Sequence, residues 1–170
     1  MLDPDRVTYA DFIAYAESHA GKFEFVDGHL QPQGCDVLLD TTLGLSDLRD
    51  DERAPDLMVT CDSADLADDE SRRVRRPTLV IEILSESTAA DDLGTKLLEY
   101  QAIPSIREYL VVDSRKRWAI LYIRDAQELF VAPRDFIAGH ITLASIDYEL
   151  NLDALYERAR IGTRLAASPD

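Results

Sequence analysis

A chain of 170 residues with 46% hydrophobic side chains is long enough for one packed domain and too apolar to be a disordered segment. Its 33 acidic residues against 18 basic ones give a net charge of −15, which excludes broad, sequence-independent binding to nucleic-acid phosphates but leaves room for a local basic surface. No window is apolar over the length that a bilayer-spanning helix needs, and the opening MLDPDRVTYADF lacks a basic-then-apolar leader, so the expected setting is the cytoplasm, away from membranes.

Thr8 is placed to cap a first helix over Tyr9–Ala20, with Asp11 in its first turn and Phe12, Ala16 and Ala20 at helical spacing. In KFEFVDGHL (22–30) the Asp27-Gly28 pair between two strand-like runs predicts a hairpin. CDVLLD (35–40) and LMVTC (57–61) read as strands, the second directly after Pro55-Asp56. Cys35 and Cys61 stand in unrelated contexts with no CxxC and no ligand spacing to His19, His29 or His140, so they are expected to be buried, inert thiols without structural zinc. The acidic loop Asp62–Arg76 ends in SRRVRRP. Its Arg72, Arg73, Arg75 and Arg76 read as a solvated run balanced by Asp68, Asp69 and Glu70.

Leu79–Leu84 is a strand apolar on both faces. Ser87 or Thr88 offers the next N-cap, Asp91 and Asp92 complement the helix dipole, and a helix runs from Ala89 to about Ala102. Leu93, Leu97 and Tyr100 form its apolar stripe, and Gly94 weakens it by roughly 1 kcal/mol relative to alanine. REYLVVD (107–113) and WAILYI (118–123) are adjacent strands joined by a charged turn, with shorter strands at Glu128–Ala132 and Ile141–Ser145. A closing helix, Leu152–Arg160, is capped by Asn151 or Asp153, and the tail from about 161 is expected to fray. Without repeats or linkers, this predicts one domain over residues 1–170, of mixed α/β class, with a central β-sheet flanked by helices.

Glu82 interrupts the apolar strand TLVIEILS. A buried, unpaired carboxylate is costly, so it must pair with a cation, take up a proton or bind a metal. Asp56 opens the preceding strand, where common turn chemistry is by itself the plainer explanation. Glu24, between Phe23 and Phe25, fits simple alternation with the glutamate outward, and Lys96, four residues after Asp92, fits an ordinary surface ion pair. Together they suggest more: an acid opening one strand, an acid inside the next and a lysine on the following helix suit phosphodiester hydrolysis. Two carboxylates can hold Mg²⁺, which keeps several waters and activates one of them, while a lysine stabilises developing charge.

The runs FEFVDGHL, APDLMVTCD, TLVIEILSESTAADDLGTKLLEY and REYLVVDS, in that order, resemble the Uma-two family of putative restriction endonucleases, which looks like a branch of the PD-(D/E)xK nuclease superfamily. The resemblance spans about Tyr9 to Leu155 and is most specific from Pro77 to Asp113. It implies a restriction-endonuclease-like fold, with Asp56 as the aspartate of the P-D element and Glu82 as the acid of the E-x-K element, both ligands of Mg²⁺ or Mn²⁺. Leu84 stands where the motif lysine would be, and Lys96 fits the lysine moved to the next helix. Glu24 matches the hairpin glutamate as a fourth polar residue, and Ser85 a turn or cap serine. The chain departs from the pattern in two places. HLQPQG runs straight into CDVLLD where the family has a helix, so apolar surface there is expected to need other cover, such as a partner subunit. Glu86 replaces the family's proline.

Two functions are therefore expected of such a chain. One is Mg²⁺-dependent DNA hydrolysis through catalytic Asp56, Glu82, Lys96 and Glu24. The alternative is a catalytically inactive, homodimeric interaction or regulatory protein that keeps the fold.

Overall fold

The computed structural model describes residues 23–26, 29–32, 34–39, 41–45, 51–67, 73–127 and 129–159, the first two segments as backbone alone. The expected first helix, the tail from 161, and Asp68, Asp69, Glu70 and Arg72 lie outside the described residues. The chain order is β1 (Phe23–Val26), β2 (His29–Pro32), β3 (Asp36–Leu39), β4 (Thr42–Gly44), β5 (Glu52–Arg53), β6 (Leu57–Thr60), α1 (Ser63–Ala67), β7 (Arg73–Val74) and β8 (Pro77–Leu84). A π-helical segment, Asp91–Thr95, then runs into α2 (Lys96–Gln101), followed by β9 (Glu108–Asp113), β10 (Ala119–Arg124), β11 (Phe130–Phe136), β12 (His140–Leu143), a 3-10 turn (Ala144–Ile146), β13 (Tyr148–Asn151) and α3 (Leu152–Arg158).

Six strands form the main sheet in the order β11-β10-β9-β8-β6-β3. β8 and β9 are parallel, as a crossover through α2 requires. The other neighbours are antiparallel, so the sheet is mixed. Both faces are covered, which is why β8 and β9 read as continuous apolar runs. On one face Leu57, Val59, Ile81, Leu110 and Val112 pack with Leu150, Leu155 and Tyr156 of β13 and α3. On the other Met58, Val80, Leu84, Tyr109 and Val111 pack with Tyr100, Ile103 and Ile106 of α2 and the turn after it. Side chains alternate along a strand, so Glu82 shares this second face with Val80 and Leu84.

β1 and β2 pair antiparallel with Val26 opposite His29, the pairing that the Asp-Gly signal predicts, while Asp27 and Gly28 lie outside the described residues. Asn151, not Asp153, caps α3, its Oδ1 accepting the Ala154 N–H at 2.9 Å. The cap ahead of α2 differs from expectation. Ala89 N–H donates to the Ser85 carbonyl, the Ser85 N–H donates to Thr88 Oγ1, and the Asp91 and Asp92 N–H groups donate to the Thr88 carbonyl, while the π-helical segment has Ala90 in its cap position and no side-chain cap bond.

Three further features correct the sequence reading. The cysteines are not free thiols: Cys35 and Cys61 form a disulfide. The antiparallel register that sets Asp36 opposite Thr60 brings their neighbours, one before β3 and one after β6, face to face. Downstream of the junction where the family helix is missing, β4, β5 and β7 build a small sheet in the order β5-β4-β7. Its fully buried Leu43 joins Met58, Val80 and Leu84, so cover at that point comes from within the chain. Gly44 lets Arg73 lie flat on β4, since a Cβ there would sit 2.7 Å from Arg73 Nε. Finally, the basic run is tied rather than merely solvated. Arg73 pairs with Glu52, Arg76 pairs with Asp62, and the Arg75 and Arg76 N–H groups donate to Asp65.

Candidate functional site

The β6–β8 register sets Leu57 against Ile81, so Asp56, one residue earlier, stands across from Glu82, one residue later. Cross-strand neighbours bring their Cβ atoms within about 5 Å of one another. Asp56 Oδ2 accepts the Ile83 N–H at 2.7 Å, which anchors the carboxylate beside Glu82 at the end of the ladder.

Glu82 is 2% exposed. Its Oε1 takes two donors from the helix that follows: Lys96 Nζ at 2.9 Å and the Tyr100 hydroxyl at 2.7 Å. Lys96 Nζ also lies 2.8 Å from Asp92 Oδ1. The 92–96 pair therefore exists, but it is not the surface pair expected from the spacing. The Lys96 side chain is only 14% exposed and points onto the sheet. Asp92, Lys96 and Tyr100 follow one another at four-residue steps and so share a helix face, with the Tyr109 hydroxyl donating to the Asp92 carbonyl at 2.9 Å. The adjacent face is tied to β5, where Arg53 binds Glu99 through Nε at 2.6 Å and Nη2 at 2.9 Å, with Nη1 3.7 Å from Asp91. At the far end of α2, Arg124 donates to the carbonyls of Tyr100, Gln101, Ile103 and Ile106.

Burial pushes Glu82 up to about 7, against the pull of the Lys96 charge and the hydrogen bonds from Lys96 and Tyr100; the Asp56 charge adds to the rise. Burial acts to lower Lys96, but Asp92 and Glu82 outweigh it and hold the ammonium above its usual range. Lys96 is thus a fixed positive charge, not a base. Burial, then the Glu82 charge, pushes Tyr100 and Tyr109 well above the ordinary tyrosine value, so both remain hydroxyl donors.

Asp56, Glu82 and Lys96 thus come together. Glu24 lies on β1, opposite Gln31, and its side chain is outside the described residues. Glu86 is exposed, with Arg115 Nη1 3.9 Å away, and among the described residues it does not join the group. Ser85 is a turn residue, its Oγ 3.1 Å from Thr88 Oγ1. Sequence reasoning missed Asp92 and Tyr100 as members. Their signal is the Asp92–Lys96–Tyr100 stripe at four-residue spacing, in which Asp92 also suits the helix dipole and Tyr100 also suits apolar packing.

The donor set suits a hard divalent cation. It is all oxygen, with Glu82 Oε1 already paired with the Lys96 ammonium. Among the described residues no group of three or more potential ligand side chains forms, so Mg²⁺ held by Asp56 and Glu82 would keep most of its waters. Also among the described residues, no helix is long and apolar enough to cross a membrane.

A family model, Uma2, described as "Putative restriction endonuclease", matches residues 23–151. The uncharacterized protein slr1290 of Synechocystis sp. is 26% identical over 171 aligned positions, covering 86% of this chain and 89% of that protein. A second Synechocystis protein, sll1609, is 37% identical over 59 positions, or 35% of this chain and 33% of its own. The crystal structure of a putative nuclease belonging to DUF820 from Anabaena variabilis superposes with a TM-score of 0.59 over 86% of this chain and 98% of that one. At 13% identity, that likeness is one of fold.

Proposed function

The chain belongs to the Uma2 family, described as "Putative restriction endonuclease", and from that premise we propose that it is a Mg²⁺-dependent endonuclease hydrolysing DNA phosphodiester bonds. One observation carries the reading: Lys96 returns from α2 onto Glu82 at 2.9 Å, on the strand beside Asp56. Asp56 and Glu82 are the residues that would hold Mg²⁺ or Mn²⁺. The bound cation supplies a polarised phosphate oxygen and a water acidic enough to attack near neutral pH. Asp56, tied to the β8 backbone through the Ile83 N–H, would hold its carboxylate in place as a ligand of that cation. Lys96, held charged, stabilises the negative charge that develops on phosphorus. Tyr100 orients Glu82, and Glu24 is the fourth polar residue of the proposal, to be tested by substitution. DNA binding rests on few cationic contacts against a net charge of −15, so it is weak without the metal and falls with added salt.

The test is incubation with single-stranded, double-stranded and branched DNA in Mg²⁺ or in chelator. Metal-dependent cleavage of any of these supports the reading, and no cleavage of all three overturns it. A second reading, a non-catalytic homodimeric interaction protein, is favoured by Leu129, Val131 and Ile137, exposed along and beside edge strand β11. It gains if cleavage is absent and sedimentation gives a dimer that Val131→Lys dissociates.

A further inference from the structure

Among the described residues the metal reading leaves the buried carboxylates of Asp92, Glu108 and Asp113 unused, and of these Asp92 is the one in contact with Lys96. Asp92 is 1% exposed, more deeply buried than a surface helix pair requires. It lies in the π-helical segment just ahead of α2, its main chain fixed by the Tyr109 hydroxyl. Lys96 therefore has two anions within 3 Å, Glu82 on the sheet at 2.9 Å and Asp92 on its own helix at 2.8 Å.

These two anions are not equivalent. A divalent cation entering between Asp56 and Glu82 meets the Lys96 ammonium already on Glu82, and two cations on one carboxylate repel. An ammonium displaced from Glu82 with no second partner would be left buried and unpaired, which is costly. Asp92 removes that cost because it sits on the same helix as Lys96.

We propose that Asp92 is a positioning residue that retains the Lys96 ammonium when Glu82 is handed to a divalent cation. Lys96 then stays beside the metal as a fixed charge instead of competing for its ligand. This inference rests on the metal reading of Asp56 and Glu82.

Calorimetric titration of MgCl₂ or MnCl₂ into wild type, Asp92→Asn, Lys96→Met and the double variant tests it without any activity readout. Asp92→Asn is expected to weaken cation binding by about tenfold, the size usual for a partner that supports a ligand. Lys96→Met tightens it, and adding Asp92→Asn to Lys96→Met changes nothing beyond about twofold, because the effect of Asp92 passes through Lys96. Asp92→Glu, which keeps the charge, restores most of the affinity. Should Asp92→Asn not fold, the Asp92→Glu and Lys96→Met arms still decide, since Lys96→Met must then bind more tightly than wild type. Wild-type affinity in Asp92→Asn overturns the proposal. So does an equal loss with and without Lys96, which would make Asp92 a ligand itself. No binding by wild type overturns the metal reading and this inference with it, a result distinct from either.

Discussion

Replacing Glu82 with glutamine preserves the side chain's shape and removes its charge. In the folded protein burial pushes the Glu82 carboxyl from 4.5 to about 7. The folded form therefore holds a proton across a range where the unfolded chain has already released it. Stability from this group is fully present below about pH 4.5 and is lost progressively as pH rises to about 7. The gap between the two values corresponds to about 3 kcal/mol. Lys96 stays charged throughout, so it adds no slope of its own. Urea unfolding of wild type and Glu82→Gln at a series of pH values from about 4 to about 8 isolates the term, because every other carboxylate is common to both proteins. The wild type is expected to lose about 3 kcal/mol relative to the variant between these limits. Parallel pH profiles would refute the reasoning, and a wild-type profile that rises relative to the variant would show Glu82 held ionised by Lys96 at every pH.

Tyr100→Phe deletes one of the two donors to Glu82 Oε1 and is expected to cost about 1–3 kcal/mol in urea unfolding while moving the Glu82 slope to higher pH. Leu43→Ala, in the small sheet that covers Met58 and Val80, is expected to cost about 2–5 kcal/mol by the same measurement. Arg124→Met strips the donors from the carbonyls that end α2. Amide hydrogen exchange should then show α2 opening at least about tenfold more often, with β9 and β10 less affected.

Much of the site could be read from the sequence because its parts lie on strongly patterned elements. Glu82 stands out in TLVIEILS since a strand apolar on both faces offers no solvent for a carboxylate, and Asp56 and Lys96 fall on neighbouring elements in the order the resemblance requires. The direction of Lys96 could not be read. A four-residue spacing from Asp92 is the same whether that helix face meets water or the sheet, and only packing against β8 and β9 decides between them. Glu108 shows that burial alone is no signal. It is as buried as Glu82, yet it accepts from Ala144 N–H, Ser145 N–H and the Ser145 hydroxyl, and simply ties the 3-10 turn to β9.

The fold was legible where strands are long and hairpins have turn chemistry, as in β8, β9 and the Asp27-Gly28 hairpin. It was not legible in β4, β5 and β7, whose two or three residues are too few to show alternation. The Cys35–Cys61 pairing was hidden for another reason. It depends on the register between β3 and β6, which no spacing rule along the chain encodes.

Single-turnover cleavage of DNA in Mg²⁺ by wild type, Glu82→Gln and Lys96→Met, with folding of each checked by circular dichroism, tests the central claim most directly. Both substitutions are expected to slow cleavage by at least about a hundredfold. Cleavage at the wild-type rate in either folded variant would contradict that claim.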